Sequence, residues 1–222
     1  FRDLVFDGGS GRDTSGISVN VSGRSGLECL NVAFWRTDIG YKNVGAIDWK
    51  LHGCTFNRGN IGLWLQPLST MHGGCGLVDG GFNISYMAQA GIYIQGKASS
   101  TYMEQLKFAN VVIENNTGFG IFVDHWQGTW PLIFDHIYFE TNGTADNATL
   151  DGTTYHDPQM LYLNDANNVQ FINCKLTNGI EDTAGGDIID STVYTYNCYL
   201  LPAYGDFNMV GTSRMYHSHP HV

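Results

Sequence analysis

The sequence predicts an all-β fold, a right-handed single-stranded parallel β-helix of about eight turns with three short strands per turn. Three observations predict it. A short couplet with apolar residues at its second and fourth positions returns eight times, as Asp3-Leu-Val-Phe6, Asn31-Val-Ala-Phe34, Gly53-Cys-Thr-Phe56, Gly81-Phe-Asn-Ile84, Asn110-Val-Val-Ile113, His136-Ile-Tyr-Phe139, Asn173-Cys-Lys-Leu176 and Asn197-Cys-Tyr-Leu200, about 28 residues from one to the next. A second alternating strand follows most copies, as in Gly16-Ile-Ser-Val19, Gly62-Leu-Trp-Leu65, Gly91-Ile-Tyr-Ile94, Gly120-Ile-Phe-Val123, Met160-Leu-Tyr-Leu163 and Asp187-Ile-Ile-Asp190. No stretch carries a sustained apolar stripe of helical period, so helices are expected to be short or absent.

The first strand of each turn turns its apolar residues inward. Cys54, Cys174 and Cys198 share an inward slot that other turns fill with Val, Phe and Ile. Five cysteines are an odd number and read as small buried hydrophobes rather than a disulfide framework, which argues mildly for synthesis in a reducing compartment. The residue opening the couplet is polar or Gly, and in a stacked coil such side chains can bond from turn to turn. In the second strand Leu63 and Leu65, Ile92 and Ile94, Ile121 and Val123, and Leu161 and Leu163 face one side. A third, less regular strand shows as 46–51, 103–108 and 169–171. Gly contributes 28 residues of 222, above the usual share of about 7%, as a fold with three corners per turn requires.

The chain reads as one domain over 1–222, a segment of a longer polypeptide, with an inserted loop at 141–159 and a C-terminal extension at 205–222. A net charge of −10, with 11 basic residues and no basic stripe, speaks against nucleic acid as a partner. No apolar run is long enough to span a membrane. No cofactor is indicated, and the alternating histidines of 217–221 make a poor metal site because Pro220 interrupts them. Sequons at Asn20, Asn83, Asn115, Asn142 and Asn147 keep a secreted enzyme in play.

The segments Phe1-Arg-Asp-Leu-Val-Phe-Asp-Gly8, Val111-Val-Ile-Glu-Asn-Asn116 and Ile137-Tyr-Phe-Glu-Thr-Asn-Gly143 resemble the pectate-lyase-like β-helix superfamily, and in particular the β-helical tailspikes and capsule depolymerases of bacteriophages. The resemblance implies a homotrimeric spike on the virion tail that binds, and often cleaves, a bacterial surface polysaccharide such as capsule or O-antigen. Secreted microbial glucanases and pectinases share the architecture, so the likeness alone does not choose a substrate.

Chemistry must come from outward residues. In the first strand these alternate with the core positions, so Glu114 and Glu140 fall at one position of consecutive turns, about 5 Å apart in backbone. The outward series at this slot runs Asp7, Trp35, Asn57, Ser85, Glu114, Glu140, Thr177 and Leu201, so no other adjacent pair is acidic. Stacked carboxylates repel, and the asymmetry that follows suits glycoside cleavage by one acid and one nucleophile or base. A structural role for Glu114 and Glu140, bonding corner amides, is the competing reading. Asp124 is a candidate third acid or water-activating base. His125, Trp126 and Tyr138 are candidate sugar-binding groups, with Tyr138 or His125 the base if the enzyme were a lyase. The 141–159 insertion would wall the cleft. Along the second strand the outward residues are Ser18, Lys42, Trp64, Tyr93, Phe122 and Tyr162. Trp64 and Tyr93 begin an aromatic line suited either to stacking on a glycan or to burial between chains. A spike segment that binds glycan without cutting it completes the alternatives.

Overall fold

The computed structural model describes residues 1–9, 17–23, 26–67, 73–96, 103–127, 130–176, 186–198 and 207–218. The chain winds as a right-handed parallel β-helix, and no helix occurs among these residues. Strands of successive turns pair in parallel, in one path nine strands deep and in a second sheet eight strands deep. The first strands of the turns are Val5–Asp7, Ala33–Trp35, Thr55–Asn57, Phe82–Ser85 and the C-terminal halves of Met103–Glu114 and Leu132–Glu140. Lys175 continues this face through a single bridge to Tyr138. Of the last couplet, 199–200 lie outside the described residues, as do 177 and 201 of the outward series and 219–222.

Each couplet opens on a corner made by one left-handed residue. Asp3, Asn31, Asn110, His136, Asn173 and Asn197 have φ between 50° and 55°, and Gly53 and Gly81 have φ of 60° and 76°. Asn, Asp and Gly tolerate this region best, which is why the couplet begins with them. Neighbouring corners are bonded as the sequence implied: the Asn31 amide donates to Asp3 Oδ1 at 3.1 Å, and the Asn197 amide to Asn173 Oδ1 at 2.7 Å.

Inside the coil, side chains of like position stack. Phe6, Phe34 and Phe56 lie ring on ring at 5.3 and 4.5 Å, and Phe108, Phe134 and Phe171 at 5.0 Å each. Leu63, Leu65, Ile92, Ile94, Ile121, Val123, Leu161 and Leu163 are buried as the alternation predicts. Cys29, Cys54, Cys174 and Cys198 are free and buried, and burial pushes the Cys29 thiol up to about 11. The side chain of Cys75 lies outside the described residues. Gly62 and Gly91 are the second residues of Ile61–Gln66 and Ala90–Gln95, where the second sheet passes close to the first. A Cβ on either would sit 2.7 Å from the carbonyl oxygen of the next turn's glycine.

Two buried asparagines brace the corner after the first strand. The Asn116 amide donates to Asn142 Oδ1 at 2.7 Å, Asn142 donates to the Ile113 carbonyl at 2.9 Å, and Asn116 Oδ1 accepts the Met87 N–H at 2.7 Å. Asn116→Ala is expected to lower unfolding free energy by about 2–4 kcal/mol in urea titration, because it strands buried polar groups on both sides.

The 141–159 insertion forms an antiparallel hairpin, Asn147–Leu150 with Thr153–His156. It lies over the outer face of the second sheet, where Ala148 and Leu150 cluster with Trp64, Tyr93, Phe119 and Phe122, and Tyr155 and Tyr162 pack against them. Gln89 accepts the Thr149 N–H and Gln95 donates to Asp151 at 2.6 Å, fixing the hairpin's first strand and its turn. Asn208–Val210 and Arg214–Ser218, within 205–222, pair in parallel with Gly186–Ile189 and Thr192–Tyr196.

Candidate functional site

The first sheet presents an outer face of stacked polar residues. Strand pairing sets Ser85 beside Glu114 and Glu114 beside Glu140, so the two acids occupy consecutive rungs as predicted. Each is followed by a left-handed residue, Asn115 (φ 54°) and Thr141 (φ 52°), which ends the strand and turns the chain into the second sheet. The two carboxylates have different partners. The Asn83 amide donates to Glu114 Oε1 at 3.0 Å, and the Tyr138 hydroxyl donates to Glu140 Oε2 at 3.0 Å.

These bonds belong to a line that runs parallel to the coil axis. The Asn57 amide donates to Ser85 Oγ at 2.9 Å, and Ser85 Oγ donates to Asn83 Oδ1 at 3.0 Å, leading on to Glu114. On the far side of Glu140 the Lys175 ammonium sits 4.9 Å from the centre of the Tyr138 ring. At the other end the sheet opens into a cleft of about 430 Å³ lined by Trp35, Arg36, Thr55, Asn57 and Arg58. Trp35 is 45% exposed and Tyr138 37%. Alternation places Trp35 and Asn57 outward. It says nothing of Arg36 and Arg58, which are corner residues, so the cleft is a feature that the strand pattern does not announce.

The hydrogen bond to Glu140, with the nearby negative charge, holds the Tyr138 phenol above its ordinary value. Its ionisation, followed by NMR of ring-labelled tyrosine, is therefore expected above pH 10, and Glu140→Gln should bring it down.

The remaining predicted site residues are not gathered here. Asp124 ends Phe119–Asp124 in the second sheet, so about 16 Å of strand separates it from the corner that follows Glu114. There it accepts the Asn164 amide at 2.7 Å and lies 2.7 Å from His125 Nδ1. His125 is itself a left-handed corner residue (φ 59°). Trp126 is buried in the coil's core. Trp64 and Tyr93 are 8% and 2% exposed beneath the hairpin, so neither ring is open to a ligand or a second chain. Lys42 lies 3.3 Å from the centre of the Trp64 ring. Asn20, not Ser18, is the strand partner of Lys42 and heads this line. The insertion therefore covers the second sheet and does not wall the glutamates. Among the described residues no three His, Cys, Asp or Glu side chains group to hold a metal ion.

Neither a family model nor a curated protein matches this sequence. Among solved structures the chain is similar to the A-module of the mannuronan C-5 epimerase AlgE6 of Azotobacter vinelandii, with a TM-score of 0.50 and 16% identity. The alignment covers 99% of this chain and 59% of that one. The likeness is one of fold.

Proposed function

We propose that this chain binds an extended bacterial surface polysaccharide along the outer face of its first sheet and cleaves it internally as a glycoside hydrolase, with Glu114 and Glu140 as the reacting pair. One observation carries the reading: two carboxylates stand in register on consecutive turns, each with its own donor, at the centre of an axial line of hydrogen-bonding side chains. The fold supports it, since the structurally similar epimerase module is named for action on a polysaccharide.

In this mechanism Glu114 gives its proton to the glycosidic oxygen as the C–O bond breaks, and Glu140 attacks the anomeric carbon. The Tyr138 hydroxyl, already on Glu140, positions it. Water activated by Glu114 then releases the glycosyl group, and the acid regains its proton. Adjacent rungs lie about 4.8 Å apart, which favours the arrangement of about 5 Å that retains anomeric configuration over the wider one that inverts it. Asp124 lies outside this scheme.

Incubation with a panel of purified capsular and O-antigen polysaccharides tests the reading. New reducing ends whose first-formed anomer matches the substrate support it. Unsaturated products that absorb in the near ultraviolet would replace it with a lyase, and binding without products would leave a glycan-binding spike segment. The tailspike assignment, with its homotrimer, rests on the sequence resemblance and is tested by sedimentation of the purified chain.

A further inference from the structure

Basic and acidic side chains keep to separate rungs of the first sheet. Arg36 and Arg58 follow Trp35 and Asn57 on consecutive rungs, and Glu114 and Glu140 stand on later rungs, near the middle of the nine-strand path. Arg36, Arg58 and Tyr86 form one column at the corner, with Arg58 and Tyr86 exposed and Arg36 half-buried. All three are left-handed, with φ of 54°, 60° and 60°, and their N–H groups bond in turn to the carbonyls of Asn57, Ser85 and Glu114. Two guanidinium groups on adjacent turns repel, and a chain of net charge −10 with only 11 basic residues has set two of them side by side. Asp7 answers one of them: Arg36 Nε donates to Asp7 Oδ1 at 2.9 Å and its Nη2 to Oδ2, which holds the Asp7 carboxyl below the usual carboxylate range. No ion pair of Arg58 is found among the described residues, and Arg58 lines the cleft beside the exposed Trp35 indole and the Asn57 amide.

We propose that this cleft is a seat for a carboxylate-bearing sugar, with the ring against Trp35 and the carboxylate on Arg58, and that the sugars reaching Glu114 and Glu140 are neutral. A guanidinium fork matches a carboxylate in a planar, two-bonded contact, and an indole offers the apolar face that a pyranose packs on. Two rungs, about 10 Å, separate Arg58 from Glu114, and three rungs, about 14 Å, separate it from Glu140. An acidic ring at those rungs would face carboxylates already stacked, and like charges brought together in this way repel. The groove thus selects a mixed polymer, acidic at one position of its repeat, over a polymer acidic at every ring. This order of sugars rests on the proposed cleavage at the glutamates, whereas the acidic seat is testable without it.

NMR titration of the full chain with sodium D-glucuronate and with D-glucose tests both parts. Glucuronate is expected to shift the Trp35 indole and Arg58 Nε signals with affinity about tenfold above glucose, the scale of one charge-assisted contact, while leaving the Tyr138 ring unmoved. Arg58→Ala should erase the preference, Arg58→Lys should keep part of it, and Glu140→Gln should leave it unchanged. Equal response to the two sugars, no response at Trp35, a preference that survives Arg58→Ala, or glucuronate shifts centred on Tyr138 would each overturn the proposal. Polysaccharide cleavage without any glucuronate preference would refute the seat alone. A glucuronate preference without cleavage of any polysaccharide would refute the glutamate mechanism alone.

Discussion

Glu140→Gln is expected to lower the rate of polysaccharide cleavage by on the order of 10³-fold or more, within the range that positioned acid–base and nucleophilic groups supply. The change keeps the side chain's shape and its ability to accept the Tyr138 hydrogen bond, but removes the nucleophile. Glu114→Gln should cost a similar factor by removing the proton donor. The double variant should be little worse than either single one, because the two residues act as a unit. Melting temperature and glycan affinity should hold steady, since relieving a stacked pair of like charges removes no packing. Initial rates of reducing-end release, with calorimetric melting of each variant, make the measurement. Full activity in Glu140→Gln would remove the assignment.

Phe122→Ala is expected to cost about 3–5 kcal/mol of unfolding free energy, the usual range for a fully buried aromatic. The ring points outward from the second sheet, yet it is wholly buried, stacked on Tyr162 at 4.4 Å and edge-on to Tyr155 at 4.7 Å. Oligomeric state should be unchanged, because the hairpin already covers the face that would otherwise attract a second chain. Replacing 147–156 with a short polar linker is expected to do the reverse. Trp64, Tyr93 and Phe122 would lie bare, and sedimentation should then show self-association. A variant that loses a trimer on Phe122→Ala while keeping its melting point would show that the line of rings serves an interface after all.

How much of this was legible follows from what each residue's pattern encodes. Alternation within a strand fixes which side chains face out, and the repeat fixes which rungs adjoin, so Glu114 and Glu140 could be paired from the sequence and are paired in the structure. The couplet-opening Asn, Asp and Gly were visible as corner residues, and their left-handed backbone explains the choice. The cleft at Trp35 was half visible: the indole lies on a strand, but Arg36 and Arg58 sit where the chain turns and alternation lapses. The hairpin's destination was not legible, because an insertion interrupts the repeat that orders everything else. Nothing local in 141–159 says which sheet it will cover. The partners that hold it, Gln89 and Gln95, are about sixty residues earlier in the chain and look like ordinary surface polar residues.

A solenoid's turns touch only their immediate neighbours, so a pull on one end would ordinarily peel it rung by rung. The hairpin changes this in the middle of the chain. It clusters with side chains from four consecutive turns, through Trp64, Tyr93, Phe122 and Tyr162, and works as a staple across them. Stretched from its ends, the molecule should yield smoothly at both extremities and then resist at the stapled block, which must give way all at once.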